Sequence, residues 1–237
     1  DAGWLAAVPG RLAAMADPRY REFHRRITPG IHDFLGVRVP GVRALAKEIL
    51  RRGGQAATAF LERRDFSTYE STMLYGLVAA GRRAPFAEKR ASVREYVRHI
   101  DNWALCDVFC AALKDARREP GAVWEFLRPY AASRQEFPAR FALVMYLDYF
   151  LDDPGRRDAA LAAFARPIAT GYNVKMAAAW GLSAAFVKCR AAALAVLRAP
   201  ALDPAVRALA LQKIRDSRRV PAADKAALRT LVAGDGV

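Results

Sequence analysis

In the stretch IDNWALCD, Trp103 and Asp107 stand four positions apart. On a helix that spacing puts both side chains on one face, an indole beside a carboxylate. A carboxylate stabilises developing positive charge and can position or activate an attacking water. An indole face attracts cationic centres through its quadrupole. The pair suits a reaction that builds positive charge. Ala104, Leu105, Val108 and Phe109 make the same helix read as largely buried, where a carboxylate is costly unless it is paired or lines a wet cleft. An ion pair to an arginine, or a cap on the next element, is the commoner explanation of such an acid taken alone.

Three further segments stand out from an Ala/Leu/Arg background. Arg140 follows EFPA at the head of the apolar run RFALVMYLDYF, whose Leu143, Val144 and Leu147 would fix a helix in the core. A guanidinium near that helix N-terminus is a phosphate clamp, or else a salt bridge with Asp107 as one partner. Trp180 lies in KMAAAWGL, where small neighbours would let another chain approach the indole; a core tryptophan packed on alanines is the alternative. The segment QKIRDSRRV carries Lys213, Arg215, Arg218 and Arg219.

The whole chain shares this basic character. Its 237 residues hold 38 Lys and Arg against 24 Asp and Glu, a formal charge of +14. Such an excess attracts polyanions, nucleic acid first and anionic membrane second. Three cysteines are too few for a disulfide framework, and Cys106 and Cys110 lack a second pair at metal spacing, so no metal site is expected. No apolar run reaches the about 18 residues of a membrane span. The expectation is a soluble cytoplasmic protein without metal or organic cofactor.

The elements that must position these residues are helices. ADPRYREF marks Asp17 as a cap with Pro18 at the first helical position. RVPGVRALAKEILRRGG starts at Pro40 and stops at Gly53-Gly54. STYESTMLYGLVAAG opens with Ser67, and Glu70 three residues later completes a capping box. Helical spacing predicts further helices over 85–98, 102–115, 121–131, 136–151, 155–168, 173–187, 190–198, 203–215 and 221–233. No period-2 stretch reads as a strand. Short helices on short loops make antiparallel neighbours, either a bundle or a solenoid. A helix-pair period of about 35–40 residues votes weakly for HEAT-type repeats.

Taken in order along the chain, the marked residues resemble those of the HEAT-like-repeat DNA alkylation repair proteins, often called the AlkD family. The resemblance runs from HDFLGVRVPGVRALAKEI (32–49) to LALQKIRDSRRV (209–220). That family carries Trp-x-x-x-Asp on one helix, an Arg at the start of a later long helix and a Trp in a still later one. Here these fall on Trp103, Asp107, Arg140 and Trp180, and Phe34, Leu35, Gly36, Pro40 and Arg43 match an early pattern. Asn102, Ala104, Ser183 and Ala184 depart from the better-known members and mark a divergent branch.

The resemblance implies an all-α fold, an α-α superhelix of HEAT-like repeats with a concave basic face, as one domain over 1–237. It implies a glycosylase for positively charged N3- and N7-alkylpurines in duplex DNA, working without a base-flipping pocket. Asp107 would stabilise the oxocarbenium-like sugar and position water. Trp103 and Trp180 would flank the deoxyribose, and Arg140 would hold a phosphate. Lys175, Arg43, Lys47, Lys213, Arg215, Arg218 and Arg219 are further candidate DNA contacts, on charge and setting alone. The partner is double-stranded DNA carrying alkylated bases, bound by a monomer. The alternatives are a non-enzymatic binder of damaged or branched DNA on the same scaffold, and a scaffold for an acidic protein.

Overall fold

A computed structural model of the chain describes residues 2–28, 31 and 33–233. Every regular element among the described residues is a helix, so the all-α expectation holds. The helices gather into two compact units, Asp1–Glu125 and Phe126–Val237.

The first unit runs through α1 (Ala2–Ala6), α2 (Val8–Ala14), α3 (Pro18–Ile27), α4 (Val39–Arg51), α5 (Gly54–Glu62), α6 (Tyr69–Gly81), α7 (Phe86–Arg98), α8 (Trp103–Ala112) and α9 (Asp115–Arg118). Helices α4, α6 and α8 stack in that order as one layer, with α5 and α7 packed against α6 as a second. Helix α10 (Pro120–Ala131) straddles the boundary. The second unit holds α11 (Glu136–Tyr149), α12 (Pro154–Ala165), α13 (Tyr172–Lys188), α14 (Arg190–Arg198), α15 (Pro204–Asp216) and α16 (Ala222–Ala233). Here α11, α13 and α15 form the row, and α12 and α14 back α13. Each unit is thus a stretch of α-α superhelix, in which one helix of every pair joins a continuous layer.

Local chemistry explains where the helices begin. Three Asp-Pro pairs open helices: Asp17 accepts from the N–H groups of Arg19 and Tyr20 at 2.9 and 3.1 Å, Asp153 from Gly155 at 2.9 Å, and Asp203 from Ala205 and Val206 at 2.8 and 3.1 Å. Each carboxylate takes N–H groups the helix cannot satisfy, and each proline sits where no N–H is needed. Helix α4 stops as its glycines predict, with Gly53 at φ 99°. Gly54 then opens α5 with no side-chain cap, a helix the sequence leaves unannounced.

The capping box expected at Ser67 is corrected by the structure. Thr68 is the cap, accepting from the Ser71 N–H at 3.0 Å, while Ser67 bonds Asp65. Glu70 does not reach back to its own helix start. Its fully buried carboxylate accepts from the backbone N–H groups of Leu35, Gly36 and Val37 at 3.0, 2.8 and 2.8 Å. Glu70 thereby fixes the FLGV loop to α6 and sets where α4 begins. Gly36 is required there: its φ is 100°, and a Cβ would lie 2.7 Å from the Asp17 carbonyl oxygen.

Helix α6 is buried on nearly every side, because α2, α4, α5, α7 and α8 all pack on it. Gly76 admits the Tyr96 ring, which a Cβ would meet at 2.5 Å. Tyr96 then donates its hydroxyl to the Leu105 carbonyl at 3.1 Å. That bond ties α7 to α8 between Trp103 and Asp107. Lys89 and Asp115 form a 2.6 Å ion pair with both side chains fully buried, and Lys89 also donates to the Ala80 carbonyl at 2.6 Å. Burial pushes the Lys89 ammonium below its usual range, opposed by Asp115.

Candidate functional site

Asn102 is the cap of α8. Its side chain accepts from the Leu105 N–H at 3.0 Å and donates to Asp101 at 2.7 Å, and it is itself buried. Trp103 is therefore the first helical residue and Asp107 lies one turn on. Ala104, Leu105, Cys106, Phe109 and Cys110 face the core. Trp103 is 38% exposed, Asp107 is half-buried and Ala111 is exposed. These three stand at successive four-residue steps, so they form one open stripe along a mostly buried helix. The acid lies on that stripe and not among the fully buried residues. Cys106 and Cys110 are buried in the apolar face. No group of three or more His, Cys, Asp or Glu side chains that could hold a metal occurs among the described residues.

In the second unit Arg140 is 4% exposed, and its Nη1 donates to the Asn173 carbonyl at 2.6 Å. One turn earlier, Glu136 accepts from the Asn173 N–H. Two side chains of α11 thus grip both polar groups of one residue in the first turn of α13. The carboxylate at that end also meets the positive pole of α13. Gly171, the residue before the helix, makes room: a Cβ there would lie 2.7 Å from Glu136 Cγ and closer to its carboxyl. Sequence reading missed Glu136 and Gly171. An acid in the first turn of α11 was visible, but its partner 37 residues later carried no local signal.

Helix α13 buries almost everything else. Ala177, Ala178, Ala179, Gly181 and Leu182 face inward, whereas Trp180 is 38% exposed on a stripe with the partly exposed Met176 and Ala184. The small residues beside the indole therefore serve helix packing. A Cβ at Gly181 would strike the Phe164 ring at 2.6 Å.

The basic candidates have separate surroundings. Lys175 is ion-paired with Asp203 at 3.0 Å, which also caps α15. Burial works to raise Asp203, and Lys175 with the α15 N–H groups outweighs it, so the carboxyl is lowered. Arg43 is half-buried on α4, and Lys47, one turn on, is exposed at the rim of a cavity. Lys213 is half-buried, while Arg215, Arg218 and Arg219 are exposed at the end of α15 and just beyond. Arg215 donates to Gln212 at 3.0 Å. No described helix is long and apolar enough to cross a membrane.

The model of one protein family, described as DNA alkylation repair enzyme, matches residues 9–170. The match takes in Trp103, Asp107 and Arg140 and ends before α13, so Trp180 and the basic segment after α15 lie outside it. No curated protein matches the chain.

Proposed function

The chain belongs to the DNA alkylation repair enzymes, and we propose that within that family it is a glycosylase that hydrolyses the N-glycosidic bond of cationic N3- and N7-alkylpurines in duplex DNA. The observation that carries the reading is the open stripe of α8, an exposed indole and a half-buried aspartate one turn apart on a helix otherwise packed into the core. An alkylated purine is already positively charged and is a good leaving group. As its bond to the sugar breaks, positive charge moves to the deoxyribose. The Asp107 carboxylate stabilises that charge and orients the water that adds to the anomeric carbon, accepting its proton. Trp103 offers its π face to the same cationic sugar. The base leaves as the neutral alkylpurine.

In the second unit Trp180 offers a second indole. Arg140 is buried against the Asn173 carbonyl at the first turn of α13, and a backbone phosphate reaching that helix N-terminus draws on its charge from outside. Arg43, Lys47, Lys175, Lys213, Arg215, Arg218 and Arg219 supply further phosphate contacts, each adding about −0.9 to the slope of log affinity against log salt. No cofactor takes part. The protein acts on DNA as a monomer and as one repair domain.

The second reading is a binder of damaged or branched DNA without chemistry. The exposed arginines after α15 favour it, because they serve backbone binding whether or not a base is released. Parallel measurement of binding and of free base separates the two. Methylated duplex incubated with wild-type protein releases 7-methylguanine or 3-methyladenine on the first reading. A steep salt slope with no free base in single-turnover conditions gives the protein to the second.

A further inference from the structure

The first unit contains a cavity of about 700 Å³ whose wall holds Lys47 and Arg51 of α4 and Arg82 and Arg83 just beyond α6. No acidic residue lines it. Among the described residues, Lys47, Arg51 and Arg83 form no ion pair with a carboxylate. Arg82 turns its guanidinium to the neighbouring pocket, donating to Thr58 Oγ1 at 3.4 Å and to the Glu88 carbonyl at 2.8 Å beside Glu62 and Glu95. Lys47, Arg51 and Arg83 thus bring three cations to one cavity without a carboxylate among its lining, a charge that an anionic ligand would neutralise.

The floor of the cavity includes Gly53 and Gly54, where α5 begins. No side chain caps that helix and its first turn has no acid, so its positive pole faces the same space. A Cβ at Gly54 would touch nothing within 4 Å. Packing does not require glycine there, and its effect is to leave the N–H groups open. The place is separate from the start of α8. Tyr69, at the start of α6, lines a small pocket with Asn102 and Leu105 of α8, whereas Gly81, at its end, lines the basic cavity. Twelve residues of helix separate the two ends by roughly 18 Å.

We propose that this cavity is a binding site for a phosphate-bearing ligand carrying at least two negative charges, held by Lys47, Arg51, Arg83 and the first turn of α5. The phosphates come either from a DNA strand or from a free phosphorylated molecule, and the volume admits a ligand of nucleotide size. The site does not depend on the glycosylase reading.

The test is calorimetric titration of the full chain with inorganic pyrophosphate at low salt. Gly54→Glu places a carboxylate in the open space at a helix start, where it leaves thermal stability equal or higher. The proposal expects wild-type protein to bind pyrophosphate and Gly54→Glu to weaken binding at least tenfold without lowering Tm. Absence of wild-type binding, or binding that Gly54→Glu leaves unchanged, overturns it. Once binding is seen, Arg51→Gln/Arg83→Gln identifies the source. A fall of about 2 in the salt slope for unmodified duplex assigns the phosphates to DNA. An unchanged slope assigns the site to a free ligand. Neither readout involves base release, so failure here and failure of the glycosylase reading are distinguishable.

Discussion

Gly171→Ala tests the grip of α11 on α13, which holds Arg140 at the first turn of α13. The backbone at Gly171 has φ −64°, open to any residue, so the substitution strains nothing by itself. Fewer unfolded conformations favour alanine by about 0.4–1 kcal/mol, and its poorer fit before a helix offsets a few tenths of that. The cost comes from Glu136, whose side chain occupies the space of the new Cβ. Because that chain is flexible, it swings out, and the loss is its charge-assisted bond to the Asn173 N–H. Such bonds contribute about 1.5–3 kcal/mol, and partial exposure places this one at the lower end. The net expectation is a loss of about 1 kcal/mol. Urea denaturation of four proteins checks it: wild type, Gly171→Ala, Glu136→Ala and the double variant. In the Glu136→Ala background, Gly171→Ala should be neutral or slightly stabilising. An equal cost in both backgrounds would refute the proposed collision.

Tyr96→Phe removes the bond to Leu105 and should cost about 0.5–1.5 kcal/mol, with amide exchange accelerated in α8 before it is in α4. Lys89→Met leaves the buried Asp115 carboxylate with Arg118, itself largely exposed, at 2.9 Å and should cost about 3 kcal/mol, whereas Lys89→Met/Asp115→Leu should recover most of that. His24 packs among Tyr20, Phe34 and Tyr69, and burial lowers its pKa below 6.5. Between the lowered pKa and 6.5 the unfolded chain binds a proton that the folded chain does not. Stability is therefore lost as pH falls below 6.5; denaturation midpoints from pH 7.5 to 5.5 should show this, and His24→Phe should flatten the curve.

What the sequence made legible was local. Asp17-Pro18 and its two counterparts mark helix starts because cap and N–H lie within three residues. Trp103 and Asp107 share a face because four residues make about one turn. Four features were not legible because they depend on partners far along the chain. Glu70 looked like half of a capping box, yet its partners lie 33–35 residues upstream. Arg140 looked like a projecting cation, yet the Asn173 carbonyl 33 residues later holds it inside. The acid of α8 read as buried because its neighbours are apolar; only the packing of α6 and α7 decides that Asp107 falls on the open side. The basic cavity joins residues 47–54 to 81–83, and no single segment announces it.

The central claim is that Asp107 stabilises a breaking glycosidic bond. The measurement is single-turnover release of 7-methylguanine and 3-methyladenine from methylated duplex by wild type and by Asp107→Asn, with DNA affinity followed in the same samples. The account predicts release by wild type and a loss of about 10²–10³-fold or more in Asp107→Asn, with affinity equal or higher because a negative charge near phosphate is removed. Equal release rates for the two proteins would contradict it.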